Sequence, residues 1–196
     1  MQPESKIKVW DPLVRVFHWG LVSAFTVAYI TEEDFLTLHA WAGYIVLGLL
    51  LVRILWGFIG TRHARFSDFV TSPRESVRYA IDAVQFQAKR YIGHNPAGAL
   101  MILIMLISLI LTGVTGIAVY GAGENAGPMA GLFAGNAEFW EDVFEEVHEF
   151  FANFTVLLVI VHIAGVIVES VAHRENLVKA MISGFKRSEK AGGGHA

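Results

Sequence analysis

The stretch 97–120, AGALMILIMLISLILTGVTGIAVY, contains no charged residue and decides the fold. An α-helix needs about 20 mostly apolar residues to cross about 30 Å of membrane hydrocarbon. This stretch is therefore predicted to be a transmembrane helix. Three further stretches have similar length and character, namely 12–31, 38–60 and 150–168, and the second contains one charge, Arg53. We expect an all-α integral membrane four-helix bundle.

The composition agrees with a membrane protein and restricts the cofactors. Of the 196 residues, 54% are hydrophobic and only 17% are charged, whereas soluble domains average about 25% charged residues. There is no cysteine, which excludes disulfides, thiolate-bound iron–sulfur clusters and covalently attached c-type haem. The first apolar stretch lacks a small-residue cleavage site, so we interpret it as a retained span.

Basic and acidic residues separate into different connecting segments. All 15 Lys and Arg residues lie in the N-terminal segment up to Arg15 at the start of the first span, in the 60–96 loop, in the C-terminal tail and at Arg53, and the loops 32–37 and 121–144 contain none. Those two loops, with the start of the fourth helix, hold 10 of the 18 acidic residues. Because cytoplasmic loops are enriched in Lys and Arg, both termini are predicted to be cytoplasmic. The acidic loops are then on the outer side.

Two short amphipathic helices are predicted at the cytoplasmic interface. Residues 72–75 form a capping box with Pro at the first helical position, and apolar residues recur at helical spacing from 77 to 91. The pattern returns at 177–185. We predict a single transmembrane domain over 1–190 and a flexible tail over 191–196.

Four of the eight histidines lie in or at the edge of a span: His18, His39, His148 and His162. Ionisable residues inside a membrane are costly and usually functional. With alternating helix directions, His18 and His162 share a cytoplasmic depth, and His39 and His148 share an outer depth. Bis-imidazole haem ligation requires two histidines from different helices at one depth. The alternative for each residue alone is a hydrogen-bonded packing histidine.

The spacing on the fourth helix supports two haem layers. His148 and His162 are fourteen residues apart, which at 100° per residue falls about 40° short of four full turns. Both therefore point from one face of the helix, separated by about 21 Å along its axis. Arg15 and Arg53 lie near the cytoplasmic depth and are candidates to pair with haem propionates. The alternative for Arg53 is that it extends to the cytoplasmic interface.

Several motifs resemble those of the prokaryotic cytochrome b561 family, which includes the b-type subunit of nickel–iron hydrogenases. WDPLVRVFHW at 10–19 is similar to the opening motif of the family, and GHNPAG at 93–98 is similar to its second signature. The pair His148 and His162, followed by ENL at 175–177, is similar to its last helix and tail. The gamma subunit of membrane formate dehydrogenase shares the four-helix plan.

The resemblance implies two haem b groups, each held by two histidines, in a multi-pass protein of the bacterial inner membrane. It implies electron transfer between the quinone pool and a periplasmic or membrane-bound redox protein, such as a cytochrome c or a hydrogenase or dehydrogenase subunit. In relatives, quinone binds near the cytoplasmic haem, which makes His94 and Asn95 candidates for quinone binding. Their alternative role is a turn and a helix start, because Asn-Pro favours turns.

Other functions stay open at this level. If the chain is not an electron-transfer subunit, three alternatives are open: a stand-alone quinone oxidoreductase, an ion transporter that uses its histidines, or a haem-free membrane anchor. Transporters usually show repeats and broken spans, and we find neither in the sequence. No acid–base or nucleophile constellation is evident, and no nucleic-acid partner is expected because topology explains the basic residues. The redox partner, the direction of electron flow, the haem potentials and homo-oligomer formation are left open.

Overall fold

A computed structural model describes residues 5–32 and 35–188, so the tail predicted at 191–196 lies outside the described residues. In chain order the elements are β1 (Lys6–Lys8), α1 (Pro12–Ile30), α2 (Leu36–Ile59), α3 (Phe66–Phe69), α4 (Pro73–Val84), α5 (Pro96–Gly123), a 3₁₀ turn (Gly127–Met129), α6 (Ala137–Ala172), α7 (Leu177–Ser183) and β2 (Phe185–Arg187). Among the described residues, α1, α2, α5 and α6 are long and apolar enough to cross a membrane. The predicted all-α, four-span architecture is confirmed.

The fourth spanning helix is longer than a bilayer requires. α6 has 36 residues, about 54 Å at 1.5 Å per residue, against about 30 Å of hydrocarbon. It starts well before the apolar stretch 150–168 and includes the acidic segment, where carboxylates such as Glu138 favour a helix N-terminus. His148 and His162 therefore lie on one uninterrupted helix, as their phase relationship requires.

The amphipathic helix α4 is shorter than its sequence pattern predicts. Ser72 caps it by accepting a hydrogen bond from the Glu75 amide (3.3 Å), as the capping box indicates. The expectation that the helical pattern continues to residue 91 is wrong, because the helix ends at Val84. Phe86 adopts a positive φ of 57°, and the Gln87 amide donates to the Asp82 carbonyl (2.8 Å). This left-handed turn stops the helix.

The described residues form two compact units, and the first consists of 5–16, 55–101 and 162–188. In it β1 and β2 pair antiparallel, with Lys6 opposite Arg187. The buried carboxylate of Glu175 accepts hydrogen bonds from Arg90 (2.9 Å) and from the Arg187 amide (3.0 Å), and lies 3.7 Å from the Lys186 ammonium. These contacts fasten the segment after α6 to the loop before α5.

Asp11 anchors the beginning of α1 within the first unit. Its carboxylate caps the helix by accepting from the Val14 amide (2.9 Å). It also accepts from the Trp56 indole (3.0 Å) and the Thr61 hydroxyl (2.6 Å). The opening motif of the chain thus contains a polar contact that joins α1 to the end of α2.

The second unit consists of 17–54 and 102–161. Polar side chains link its helices: Ser108 and Thr155, both fully buried, share a hydrogen bond of 2.7 Å between α5 and α6. Tyr29 donates to Asn153 (3.1 Å), which joins α1 to α6. Small hydroxyl residues are common between transmembrane helices because they allow close approach and satisfy one another.

Candidate functional site

The second unit brings together two of the predicted ligands, His39 and His148. His39 lies at the start of α2 and His148 lies in the outer part of α6. Their ring centroids are 5.9 Å apart, with the ring planes inclined by 78°. Neither ring is fully exposed. The two rings that the depth argument pairs on the outer side therefore lie close together, and their binding of haem stays a prediction.

Both imidazoles are oriented by a backbone carbonyl. His39 Nδ1 lies 2.9 Å from the Ala28 carbonyl oxygen, and His148 Nδ1 lies 2.8 Å from that of Thr112. A carbonyl oxygen only accepts, so each Nδ1 must carry the hydrogen. In a neutral ring with this tautomer the lone pair is on Nε2, which is the arrangement a metal-binding imidazole needs.

A glycine makes the second of these contacts possible. A Cβ at Gly116 on α5 would lie 2.8 Å from His148 Cε1 and 3.1 Å from its Nδ1. Any side chain at this position would push the ring away from the Thr112 carbonyl. The sequence reasoning did not identify Gly116, although its position within a span, opposite a candidate ligand, was the available signal.

The histidine pair lines a cavity of about 270 Å³ bounded by α1, α2, α5 and α6. Gly43, one turn after His39, also lines it, and a Cβ there would meet nothing within 4 Å. Two metal–nitrogen bonds of about 2 Å each, with the radii of two imidazole rings, add up to about 6 Å. The separation of His39 and His148 therefore suits an iron bound between them, with room for a flat macrocycle.

The remaining two predicted ligands belong to different units. His18 lies on α1 in the second unit, edge-on to Trp19 with ring centroids 5.0 Å apart. His162 lies on α6 in the first unit. Their pairing stays a prediction.

The two arginines predicted near the cytoplasmic haem occupy different surroundings. Arg53 is buried on α2, with 3% of its surface exposed. Arg15 is half-buried on α1, and its guanidinium donates to the Ile182 carbonyl at the end of α7 (2.6 Å). Arg15 thus has a structural contact, and propionate binding by either arginine stays a prediction.

His94 lines a second, smaller cavity of about 170 Å³ in the first unit. Its ring lies between Trp10 and Phe69, at centroid distances of 4.6 and 4.5 Å. The other lining residues are Arg62, His63, Asp68, Phe69, Tyr91 and Gly93. Burial and the neighbouring Arg62 lower the pKa of His63.

Asn95 has the helix-start role that was its alternative interpretation. Its Oδ1 accepts a hydrogen bond from the Gly98 amide (2.7 Å) and caps α5. The structure therefore explains Asn95 without a ligand, while His94 remains at the wall of a cavity that combines basic, aromatic and acidic side chains.

Four helices long and apolar enough to cross a membrane, with a close imidazole pair beside a cavity in the second unit, define a helical membrane protein with a candidate cofactor site. The family model described as Prokaryotic cytochrome b561 matches residues 9–184, and the chain belongs to this family. Membership implies haem b, membrane electron transfer and a multi-pass location in the bacterial inner membrane, in agreement with the predictions from sequence.

Similar proteins carry consistent descriptions. A probable Ni/Fe-hydrogenase B-type cytochrome subunit of Cupriavidus necator is 29% identical over 210 residues, which cover 91% of this chain and 86% of the relative. One of Azotobacter chroococcum is 24% identical over 95% of this chain and 90% of the relative. A probable Ni/Fe-hydrogenase 1 B-type cytochrome subunit of Escherichia coli is 33% identical over 57% of this chain and 59% of the relative. No solved structure matches the chain.

Proposed function

We propose that the chain conducts electrons across the membrane through two haem b groups, one held by His39 and His148 and the other by His18 and His162. The observation that carries the proposal is the outer imidazole pair, with both Nδ1 atoms committed to backbone carbonyls. Haem b supplies a one-electron iron couple that needs no proton at the metal. The protein contributes two imidazoles that backbone carbonyls orient beside a cavity.

The second haem position rests on the continuity of α6. His148 and His162 are on the same helix without a break, so the fourteen-residue spacing directs both rings to one side. His18 is in the seventh position of α1, near its cytoplasmic end, and is the partner of matching depth. Arg53 and Arg15 are the proposed propionate-binding cations at that level.

The smaller cavity is the proposed quinone site. Quinone oxygens accept hydrogen bonds, and the side chains of Arg62, His63 and His94 offer donors beside the apolar surfaces of Phe69 and Tyr91. Exposed apolar residues of α4, such as Val77 and Ile81, place a membrane-surface helix in the same unit. A lipid-soluble quinone would approach the site from the membrane surface on which this helix is proposed to lie.

The proposed outer partner is the catalytic part of a hydrogenase, because similar proteins of the family are described as hydrogenase cytochrome subunits. The acidic residues that line the cavity beside His39 and His148 are Glu32, Glu124, Glu141 and Glu145, and no Lys or Arg is among its described lining residues. A basic patch on the partner would complement this surface. Unchanged partner binding after reversing the exposed charges of Glu138 and Asp142 to Lys would argue against it.

Ligand variants of the purified protein test the proposal. We expect His39→Ala and His162→Ala each to lose about half of the bound haem and to keep a low-spin spectrum from the remaining site. His63→Ala, which changes a histidine outside both pairs, should keep the full haem content. Full haem retention in either ligand variant would refute the assignment. A transporter or a haem-free anchor would show no haem in any variant.

A further inference from the structure

The first unit contains a cluster of titratable side chains that the haem sites do not use. Tyr79 Oη on α4 lies 3.2 and 3.3 Å from the two carboxylate oxygens of Glu169 on α6. His173 Nε2, one turn further along α6, lies 3.3 Å from Glu169 Oε2. Glu169 and His173 each expose 14% of their side chains, and Tyr79 is buried. Three proton-exchanging groups thus meet away from bulk water.

The hydroxyl of Tyr79 faces two acceptors but has one hydrogen. It lies 2.8 Å from the Lys89 carbonyl oxygen, closer than to Glu169. If the hydroxyl donates to the carbonyl, its hydrogen bond with Glu169 requires a proton on the carboxyl group. If Glu169 is ionised, the hydroxyl must turn toward it and the carbonyl loses its donor. The position of one proton on Glu169 therefore sets the direction of the Tyr79 hydrogen bond.

Charged and titratable side chains surround Glu169. Burial and the Glu169 carboxylate raise the pKa of Tyr79, so its hydroxyl stays protonated and acts as a donor. Lys186 on β2 is a further cation that interacts with Glu169, and Tyr91 is the other titratable group in contact with Tyr79. Glu169 thus lies between the Tyr79 hydroxyl and the His173 imidazole.

The cluster borders the smaller cavity. The rings of Tyr79 and Tyr91 are in edge contact, with centroids 5.5 Å apart, and Tyr91 lines the cavity together with His94. Glu169 is seven residues after His162, about 10 Å along the helix. The cluster, His162 and the cavity therefore belong to the same unit.

We propose that Glu169, Tyr79 and His173 form a proton relay between the cytoplasmic water and a quinone in the smaller cavity. The inference rests on the proposed function, because it requires haem and quinone in this chain. A quinol oxidised there would give up two electrons, for which the two ferric haem b groups of the proposed function would be the one-electron acceptors, and two protons from its hydroxyl groups. The protons pass one at a time to the Glu169 carboxylate and on to His173 and water, and quinone reduction reverses each transfer.

The experiment measures haem reduction by duroquinol in the purified, haem-loaded full chain, from mildly acidic to mildly alkaline pH. General acid–base groups typically contribute about 100-fold or more to a rate. We expect Glu169→Gln to slow the reaction by about tenfold or more and to flatten its pH profile, with Glu169→Asp recovering part of the rate. Tyr79→Phe should slow it as well. Glu75→Gln, which changes an exposed carboxylate on α4, is the matched control.

Two further measurements separate the possible failures. Haem reduction by dithionite, which needs no proton relay, should be equal in all variants, and a carboxyl band in the reduced-minus-oxidised infrared spectrum should be absent in Glu169→Gln. A Glu169→Gln variant with the wild-type rate, pH profile and infrared band would overturn the relay alone. A wild-type chain that binds haem but does not react with duroquinol would overturn the relay together with the proposed quinone site.

Discussion

His39 and His148 show how the backbone prepares a metal ligand in a membrane. The Ala28 carbonyl belongs to the last turn of α1, where it accepts from the Thr31 amide (3.3 Å) as well as from His39. The Thr112 carbonyl lies within α5 and is reached because Gly116 has no side chain. Such hydrogen bonds fix the tautomer and the ring orientation, and losing them typically lowers metal affinity by about 10- to 100-fold.

Replacing Gly116 with Ala tests this orientation. The new Cβ would lie 2.8 Å from His148 Cε1, so the ring must shift away from the Thr112 carbonyl. We expect a lower haem-to-protein ratio and an altered outer-haem spectrum, even though Ala favours a helix by about 1 kcal/mol over Gly. Gly48→Ala is the control, because a Cβ at Gly48 meets nothing within 4 Å. Identical haem spectra in the two variants would contradict the proposed role.

Asp11 predicts a pH dependence of stability. Burial alone would raise the pKa of its carboxyl group, but hydrogen bonds from Thr61, Trp56 and the α1 backbone hold it below the ordinary value. A lowered native pKa gives stability that is fully present above the unfolded value of about 3.9 and is lost as pH falls through the native value. Thermal unfolding in detergent should thus show a steeper acid loss in the wild type than in Asp11→Asn. The same acid loss of melting temperature in the wild type and in Asp11→Asn would contradict this role of Asp11.

At the scale of elements, the buried carboxylate of Glu175 joins the segment after α6 to the loop before α5. Removing it leaves Arg90 and Lys186 without their shared anion, and breaking a buried ion pair in this way costs about 3–5 kcal/mol. We expect Glu175→Ala to lower the melting temperature clearly. Arg65→Ala removes a partly exposed ion pair with Asp68 on α3, which is worth at most about 1 kcal/mol, and should have little effect. Equal shifts in melting temperature for the two variants would show that burial does not determine how much each ion pair stabilises the fold.

The spans were predictable from sequence because each one is a long apolar segment, and the His39–His148 pair was predictable because helix direction fixes depth. The end of α4 was not predictable from sequence, because the apolar pattern continues past Val84 while the backbone turns at Phe86. The pairing of β1 with β2 involves three-residue strands far apart in the chain. The backbone carbonyls that bind the two histidines were also not predictable from sequence, because every residue carries the same carbonyl group.

At the scale of the whole molecule, the charge distribution predicts the orientation in the membrane. The chain contains no cysteine, so single cysteines report their side without background. We expect a membrane-impermeant thiol reagent to label Asn136→Cys in spheroplasts, because that loop carries no Lys or Arg, and to label Ser67→Cys only after permeabilisation. Both positions are exposed in the structure. Labelling of Ser67→Cys in intact spheroplasts would reverse the predicted topology.

Electron conduction through the whole molecule depends on iron held between paired imidazoles. The most direct test is the reduced-minus-oxidised absorption spectrum of the intact purified chain, produced with ample haem, together with its haem content. The account predicts low-spin b-type bands and about two haems per chain. A colourless protein, or one whose haem is high-spin because only one axial imidazole is bound, would contradict it.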